Sequence, residues 1–339
     1  MKLNKFVALA AAALAVCGLS RTAFAQSVED FYKGKTVTIM IGYGAGGTDD
    51  VWARLLAKYM GEHIPGKPVI VATNVPGAGS LLLANQIYNT QPKDGTVIGL
   101  INRGVPFEPL LGGIGTRFDP MKLNYIGSPD RDTPACAIRV DAPVQNMQEL
   151  LTKEYIVGAT GSGSDSQLYP EVLANMLGVK MKIVQGYPGS RDILLATERG
   201  EVQGGCVSYD TIVRDVMFRD KRTRILFQAA LKPDDRMPEV PMIHDLATSE
   251  EQKRSLELFL QRTLVGRPFI MAPGVPAERV EAIRNAFLLA LKDPGLAADA
   301  QVAGVNIHYV SPAELTKIIS DSYASPPAVV AAVKKALGR

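Results

Sequence analysis

Thr36-Val-Thr-Ile-Met-Ile-Gly-Tyr-Gly-Ala-Gly-Gly-Thr-Asp49 is the stretch that decides how this chain folds. Its first six residues are β-branched or apolar and read as a strand. A glycine-rich turn follows, and from Asp49 to Gly61 the apolar residues Val51, Leu55, Leu56 and Tyr59 recur at helical spacing. A strand that runs through a tight turn straight into a helix is one unit of a parallel sheet with crossover helices.

The unit repeats along the chain. Lys67 to Ala72 and Thr96 to Ile101 predict the next two strands, with a helix from Ser80 to Asn89 between them. A second series opens near Pro134, with strands predicted at 135–140, 155–158, 182–185, 204–208 and 224–228 and helical stretches between. After Lys232 the chain turns irregular and proline-rich, then predicts a helix at 250–261, a strand at 268–271 and helices at 277–291 and 312–323. Two α/β sets followed by a return predict two lobes joined by a double crossover: residues 26–128 and 229–339 in the first, 129–228 in the second. Each lobe is expected to be a mainly parallel sheet flanked by helices, and the ligand to bind beyond the carboxyl ends of the strands, where loops of both lobes converge.

The first 25 residues read as a secretory signal: Lys2 and Lys5, an apolar run from Phe6 to Leu19, and Ala23-Phe24-Ala25 as a cleavage site. The run is shorter than the roughly 20 residues of a bilayer crossing. Cys17 offers a lipidation alternative, which Val16, standing where a small residue is wanted, disfavours. Cleavage after Ala25 removes Lys2, Lys5 and Arg21 from the 37 bases and none of the 34 acids, so the mature chain is electrically balanced. A balanced chain has no footprint for nucleic acid and no basic run for an anionic membrane, which leaves a small-molecule partner. The mature chain retains Cys136 and Cys206, and export places them where thiols can oxidise. The residues leave two readings open: a disulfide between second-lobe strands, or two buried apolar thiols.

Gly42-Tyr-Gly-Ala-Gly-Gly47 matches a dinucleotide fingerprint in the right context, after a strand and before a helix. Export, Asn74 where an acidic ribose ligand is wanted, and the recurrence of similar loops oppose that reading. The physics of the loop does not need a nucleotide. Glycines let the backbone approach a ligand and turn its N–H groups inward, and the following helix offers a positive N-terminus to an anion. Thr48 and Asp49 are expected to cap that helix. Asn74-Val-Pro-Gly-Ala-Gly-Ser80 is a second such loop, and Gly158-Ala-Thr-Gly-Ser-Gly-Ser-Asp-Ser166 a third, with four hydroxyls ahead of its helix. Ser80, Ser164 and Ser166 suit helix capping or a ligand oxygen equally.

These loops carry a family resemblance. Gly44-Ala-Gly-Gly-Thr-Asp49 with Ala53-Arg-Leu-Leu56, Asn74 to Ser80, Pro92-Lys-Asp-Gly-Thr96, Gly186-Tyr-Pro-Gly189, Glu198-Arg-Gly-Glu-Val202, Met237-Pro-Glu-Val-Pro241 and Ala272-Pro-Gly-Val-Pro276 together resemble Bug-type receptors. These are the periplasmic solute-binding components of tripartite tricarboxylate transporters. The resemblance implies an α/β, two-lobe periplasmic-binding-protein fold of the type II-like kind. It further implies a monomer that binds a small organic acid and passes it to membrane components of a transporter, with no cofactor. By the same resemblance the ligand carboxylate is held, partly through water, by Tyr43, Gly44, Ala45, Gly46, Gly47, Thr48 and Asp49 and by Gly77, Ala78, Gly79 and Ser80 after Pro76. Its far end meets Thr160, Gly161, Ser162, Ser164, Asp165 and Ser166, then Tyr187, Ser190 and Arg191. Tyr43, Ala45 and Arg103 depart from the commonest form.

Little in the chain points to catalysis. His63, His244 and His308 have no partners at metal-ligand spacing, and Ser162 lacks the spacing of a nucleophile elbow. Asp49-Asp50 and Glu198 with Glu201 read as helix-start and surface charges rather than acid–base pairs. An exported hydrolase of carboxylate esters stands as the alternative function. Arg103 follows the strand 96–101, where a guanidinium can grip a carboxylate with two parallel hydrogen bonds, or bridge the lobes. Arg191 starts a helix, where a cation opposes the dipole and so hints at a role in binding. Ser208 and Tyr209, at the end of the strand 204–208, complete the candidate set; Trp52 reads as core.

Overall fold

The computed structural model describes residues 26–161 and 163–339, so the signal expected over residues 1–25 and Ser162 lie outside the described residues. The opening unit forms as its sequence dictates. Strand β1 (Thr36–Ile41) alternates, burying Val37, Ile39 and Ile41, and the helix Thr48–Tyr59 covers it with Trp52, Ala53 and Leu56. Burying a large apolar side chain of this kind contributes about 1.5–3 kcal/mol, so this face alone is a substantial part of the first core.

Nine further strands follow: β2 (Val69–Asn74), β3 (Val97–Leu100), β4 (Asn124–Gly127), β5 (Pro134–Arg139), β6 (Tyr155–Ala159), β7 (Met181–Gln185), β8 (Gly204–Ser208), β9 (Thr223–Gln228) and β10 (Phe269–Met271). They make two five-stranded sheets, ordered β2-β1-β3-β10-β4 and β7-β6-β8-β5-β9. The architecture is the expected α/β one with two lobes. The short β4 has no alternation that could reveal it in sequence; pairing with β10 defines it.

Each sheet is mixed rather than uniformly parallel, for a geometric reason. β10 runs antiparallel to β3 and β4, and β5 runs antiparallel to β8 and β9. These are the two strands that the chain enters on crossing from the other sheet. The remaining strands end at the cleft, so a chain arriving through the cleft-side junction starts its strand there and runs away from it. The residues just before β5 and β10 therefore sit at the same edge as those just after β1, β3, β6 and β8. The site is built on this edge.

The far side of the molecule is closed by returning helices. Glu250–Leu260 and Pro327–Ala336 lie against Asp165–Leu177, with Asn175 Nδ2 donating to the Ala336 carbonyl at 2.8 Å and Gln252 Nε2 to that of Met176 at 2.9 Å.

Cys136 and Cys206 stand opposite each other on β5 and β8 and are joined as a disulfide. The bond closes a sequence separation of 70 residues. Replacing both cysteines by serine is expected to lower the free energy of unfolding by about 2–4 kcal/mol, because the loop is no longer tied in the unfolded chain. Urea denaturation checks this; an unchanged midpoint, or two thiols titrating in unreduced denatured protein, would contradict it.

Candidate functional site

The two segments that cross between the sheets run side by side, and a charge cluster binds them. Arg267, two residues before β10, is buried and ion-paired with Asp130 and with Asp132 Oδ2 at 2.8 Å; its Nη2 also donates to Ser208 Oγ at 2.8 Å. Trp52 Nε1 donates to Asp130 Oδ2 at 2.7 Å, and Ser128 Oγ accepts the Arg267 amide at 2.7 Å. Gly266 adopts a positive φ of 65°, and a Cβ there would lie 1.9 Å from the Asp130 carbonyl oxygen. Only glycine permits that approach.

Beside this cluster, at the carboxyl ends of β1, β3, β6 and β8, lies a cavity of about 30 Å³ between the sheets, lined among others by Tyr43, Asp49, Asn102, Arg103, Asp165 and Arg267. That volume holds about two waters and is far below the roughly 300 Å³ of a small-molecule pocket. The cleft is closed. Loops of the two lobes meet directly: the Gly44 amide donates to the Pro188 carbonyl at 3.1 Å, and Thr48 Oγ1 lies 2.6 Å from Thr211 Oγ1 while accepting from Arg214 Nη2 at 2.7 Å.

Arg103 projects from the end of β3 into this cavity. Its Nε is 3.0 Å from Asp165 Oδ2, its Nη2 is 3.5 Å from Asp132 Oδ2, and its Nη1 donates to the Asp132 carbonyl. The electrostatics divide the acids. Burial raises the Asp165 carboxyl, against the pull of Arg103 and Arg262, and likewise raises Asp49, against Arg267 and Arg103. Burial would raise Asp132 too, but Arg267 and Arg103 outweigh it and hold that carboxyl low. Burial pushes the Tyr43 phenol well up, so its hydroxyl stays a hydrogen-bond donor. The cleft therefore pairs one acid whose carboxyl its arginines hold low with two whose carboxyls burial raises.

Of the candidate residues, Tyr43, Asp49, Arg103, Thr160, Asp165, Ser166, Ser190 and Ser208 line the cavity. Ser166 Oγ accepts the Thr160 amide at 3.0 Å and lies 3.0 Å from Ser164 Oγ, which itself donates to the Gly161 carbonyl at 2.7 Å. Ser80 is buried with a left-handed φ of 77°, and its hydroxyl accepts the Asn102 amide at 2.9 Å, so it braces the turn that carries Arg103. Gly77, Ala78 and Gly79 belong to this second loop, and a Cβ on Gly161 would approach Ala78 and Gly79 to 3.6 Å. Ala45 and Gly46 are exposed at the rim, and Gly47, not Thr48 or Asp49 as expected, is the cap of the helix Thr48–Tyr59, because the Thr48 hydroxyl is engaged across the cleft by Thr211 and Arg214. Arg191, half exposed, pairs with Asp215 at 2.6 Å. Tyr187 packs against Gly158. Tyr209 lines a separate open depression of about 690 Å³ on the second lobe, beneath the Arg236 guanidinium at 4.6 Å.

Sequence reasoning missed Asn102, Asp130, Asp132, Arg262 and Arg267. Asn102 neighbours a candidate and was findable. The others sit in crossing segments, and the only signal for Arg267 was its place just before a short strand that follows a proline-rich stretch.

The comparisons with known proteins agree with this architecture. The family model described as the tripartite tricarboxylate transporter family receptor matches residues 52–334. A curated relative from Cupriavidus necator, described as a UPF0065 protein in the gbd 5' region, is 26% identical over 340 residues, covering 97% of each chain. MatC from Rhodopseudomonas palustris with bound malate superposes with a TM-score of 0.69 at 19% identity, covering 87% of this chain and 99% of that one. The periplasmic binding protein BugD gives a TM-score of 0.70 at 21% identity, covering 90% and 98%. At such identities the solved structures show the fold alone. The match of the family model over most of the chain decides the kinship: this protein belongs to the tripartite tricarboxylate transporter family of receptors.

Proposed function

We propose that the chain is exported to the periplasm, captures a small organic acid between its lobes without chemical change, and hands it to the membrane components of a tripartite transporter. One observation carries this reading: two buried guanidiniums, Arg103 and Arg267, stand at the cleft edge facing hydroxyl-bearing loops of the opposite lobe. Guanidinium hydrogen bonds to carboxylate are strong and directional, and in a water-poor cleft they fix an acid end group. The malate bound by MatC is the kind of solute that suits such a site. Tyr43, Asn102, Thr160 and Ser166 supply the remaining hydrogen bonds once the lobes part to admit the acid. Asp49 and Asp165, whose carboxyls burial raises, yield their arginines to it.

Purified mature protein should show a rise in melting temperature with one or more of malate, succinate, adipate and citrate. Responses to sugars or polyamines with none to any acid would overturn the reading, as would turnover of the bound acid or its ester.

Arg103→Ala is expected to weaken binding of the best acid about tenfold to a hundredfold, the equivalent of about 1.5–3 kcal/mol for a charged hydrogen bond. Calorimetry measures the affinity. A variant with unchanged affinity but a lowered melting temperature in the absence of ligand would make Arg103 a bridge between lobes and remove it from the site.

A further inference from the structure

The carboxylate of Asp165 lies between two guanidiniums. Oδ2 is 3.0 Å from Arg103 Nε, and Oδ1 is 3.9 Å from Arg262 Nη1. The three side chains come from different parts of the fold. Arg103 follows β3, Asp165 opens the helix Asp165–Leu177 of the other lobe, and Arg262 sits in the turn Gln261–Val265 of the returning crossing segment. Arg262 is fully buried, and among the described residues none of its three guanidinium nitrogens has a hydrogen-bond partner. Its planar face rests on the Phe259 ring at 4.5 Å, with the Phe107 ring 6.0 Å away. Asp165 Oδ1 is likewise buried with no hydrogen bond among the described residues.

A buried guanidinium left without acceptors is costly, so this one retains unused capacity to bind an anion. Two cations therefore flank a single carboxylate, Arg103 from within the cavity and Arg262 from behind it, and that carboxylate belongs to the protein. The space has the chemistry of an acid-binding subsite, filled from within. Arg103 does not depend on Asp165 for its fold, since Asp132 also holds it through both its carboxylate and its carbonyl.

We propose that Asp165 is a specificity-determining residue: a tethered carboxylate that competes with the solute acid for Arg103 and Arg262, and so sets how tightly the cleft holds any acid. This rests on reading the cleft as an acid site. A side chain delivered by its own helix acts at an effective concentration far above that of a free solute, so the solute must displace it to bind. A like charge held beside the incoming carboxylate also repels it. Removal of the Asp165 charge acts in one direction on acids and leaves uncharged analogues alone, which a merely structural role would not do.

The test compares wild type with Asp165→Asn for binding of succinate, malate and adipate, and of neutral succinamide, by calorimetry. The expected result is about tenfold tighter binding of at least one acid by the variant, with succinamide binding unchanged. Unchanged or weaker acid binding by a variant whose melting temperature matches wild type overturns the proposal. Equal gains for acid and amide also overturn it, since they would report looser closure rather than competition. Asp165→Ser, which removes the carboxylate but leaves a small polar group at the helix start, is measured alongside. If neither variant folds, Asp165 is structural and the proposal fails. A chain that binds no acid as wild type or as either folded variant instead overturns the acid-receptor reading itself.

Discussion

The guanidinium of Arg267, buried among Asp130, Asp132 and Ser208, is the interaction on which the rest of the structure depends. It ties the two segments that pass between the sheets, and those segments set where both sheets meet. Such a cluster is expensive to bury, and it holds only because every charge has a counter-charge and further hydrogen bonds from Trp52 and Ser128 fix the geometry. Asp132 is the hinge of the electrostatics, because its one carboxylate serves Arg267 and Arg103 together. The positions of the crossing segments and of the cleft arginine are thus not independent.

From that junction the cleft follows. β5 and β10 start at it and run away, which brings their leading residues to the edge where β1, β3, β6 and β8 end. The glycine loops after the parallel strands then face each other across the gap. In the closed form part of their hydrogen-bonding capacity is spent on the opposite lobe, as with the Gly44 amide on Pro188 and Thr48 on Thr211. On the function proposed above, closure and ligand capture draw on the same groups, so a solute must offer acceptors good enough to replace contacts the lobes already make with each other.

The strands and helices were largely legible because their signals are local. Thr36–Ile41, Gly204–Ser208, Ala277–Leu291 and Pro312–Tyr323 have the bounds their periodicity predicts. The helices Pro294–Val302 and Pro327–Ala336, both short and alanine-rich, went unread, and the first has little contrast between its faces. Half-legible describes the cavity. Tyr43, Arg103, Thr160 and Ser166 were readable because a residue just past a strand end must face the cleft in a sheet of this kind. The same rule sent Tyr209 to the cleft, whereas its ring points into the depression on the second lobe.

What the sequence determined by itself was whatever depends on neighbours a few residues away: the βα units, the glycine loops, and the order of motifs that marks its family. The tertiary structure alone decided which charges meet. Arg267 lies 137 residues from Asp130 and 135 from Asp132, and Arg103 lies on a different lobe from Asp165. No periodicity links such residues, because a Coulomb contact in a buried site depends on distance in space and on the exclusion of water, and both are set only when two sheets have folded and closed on each other.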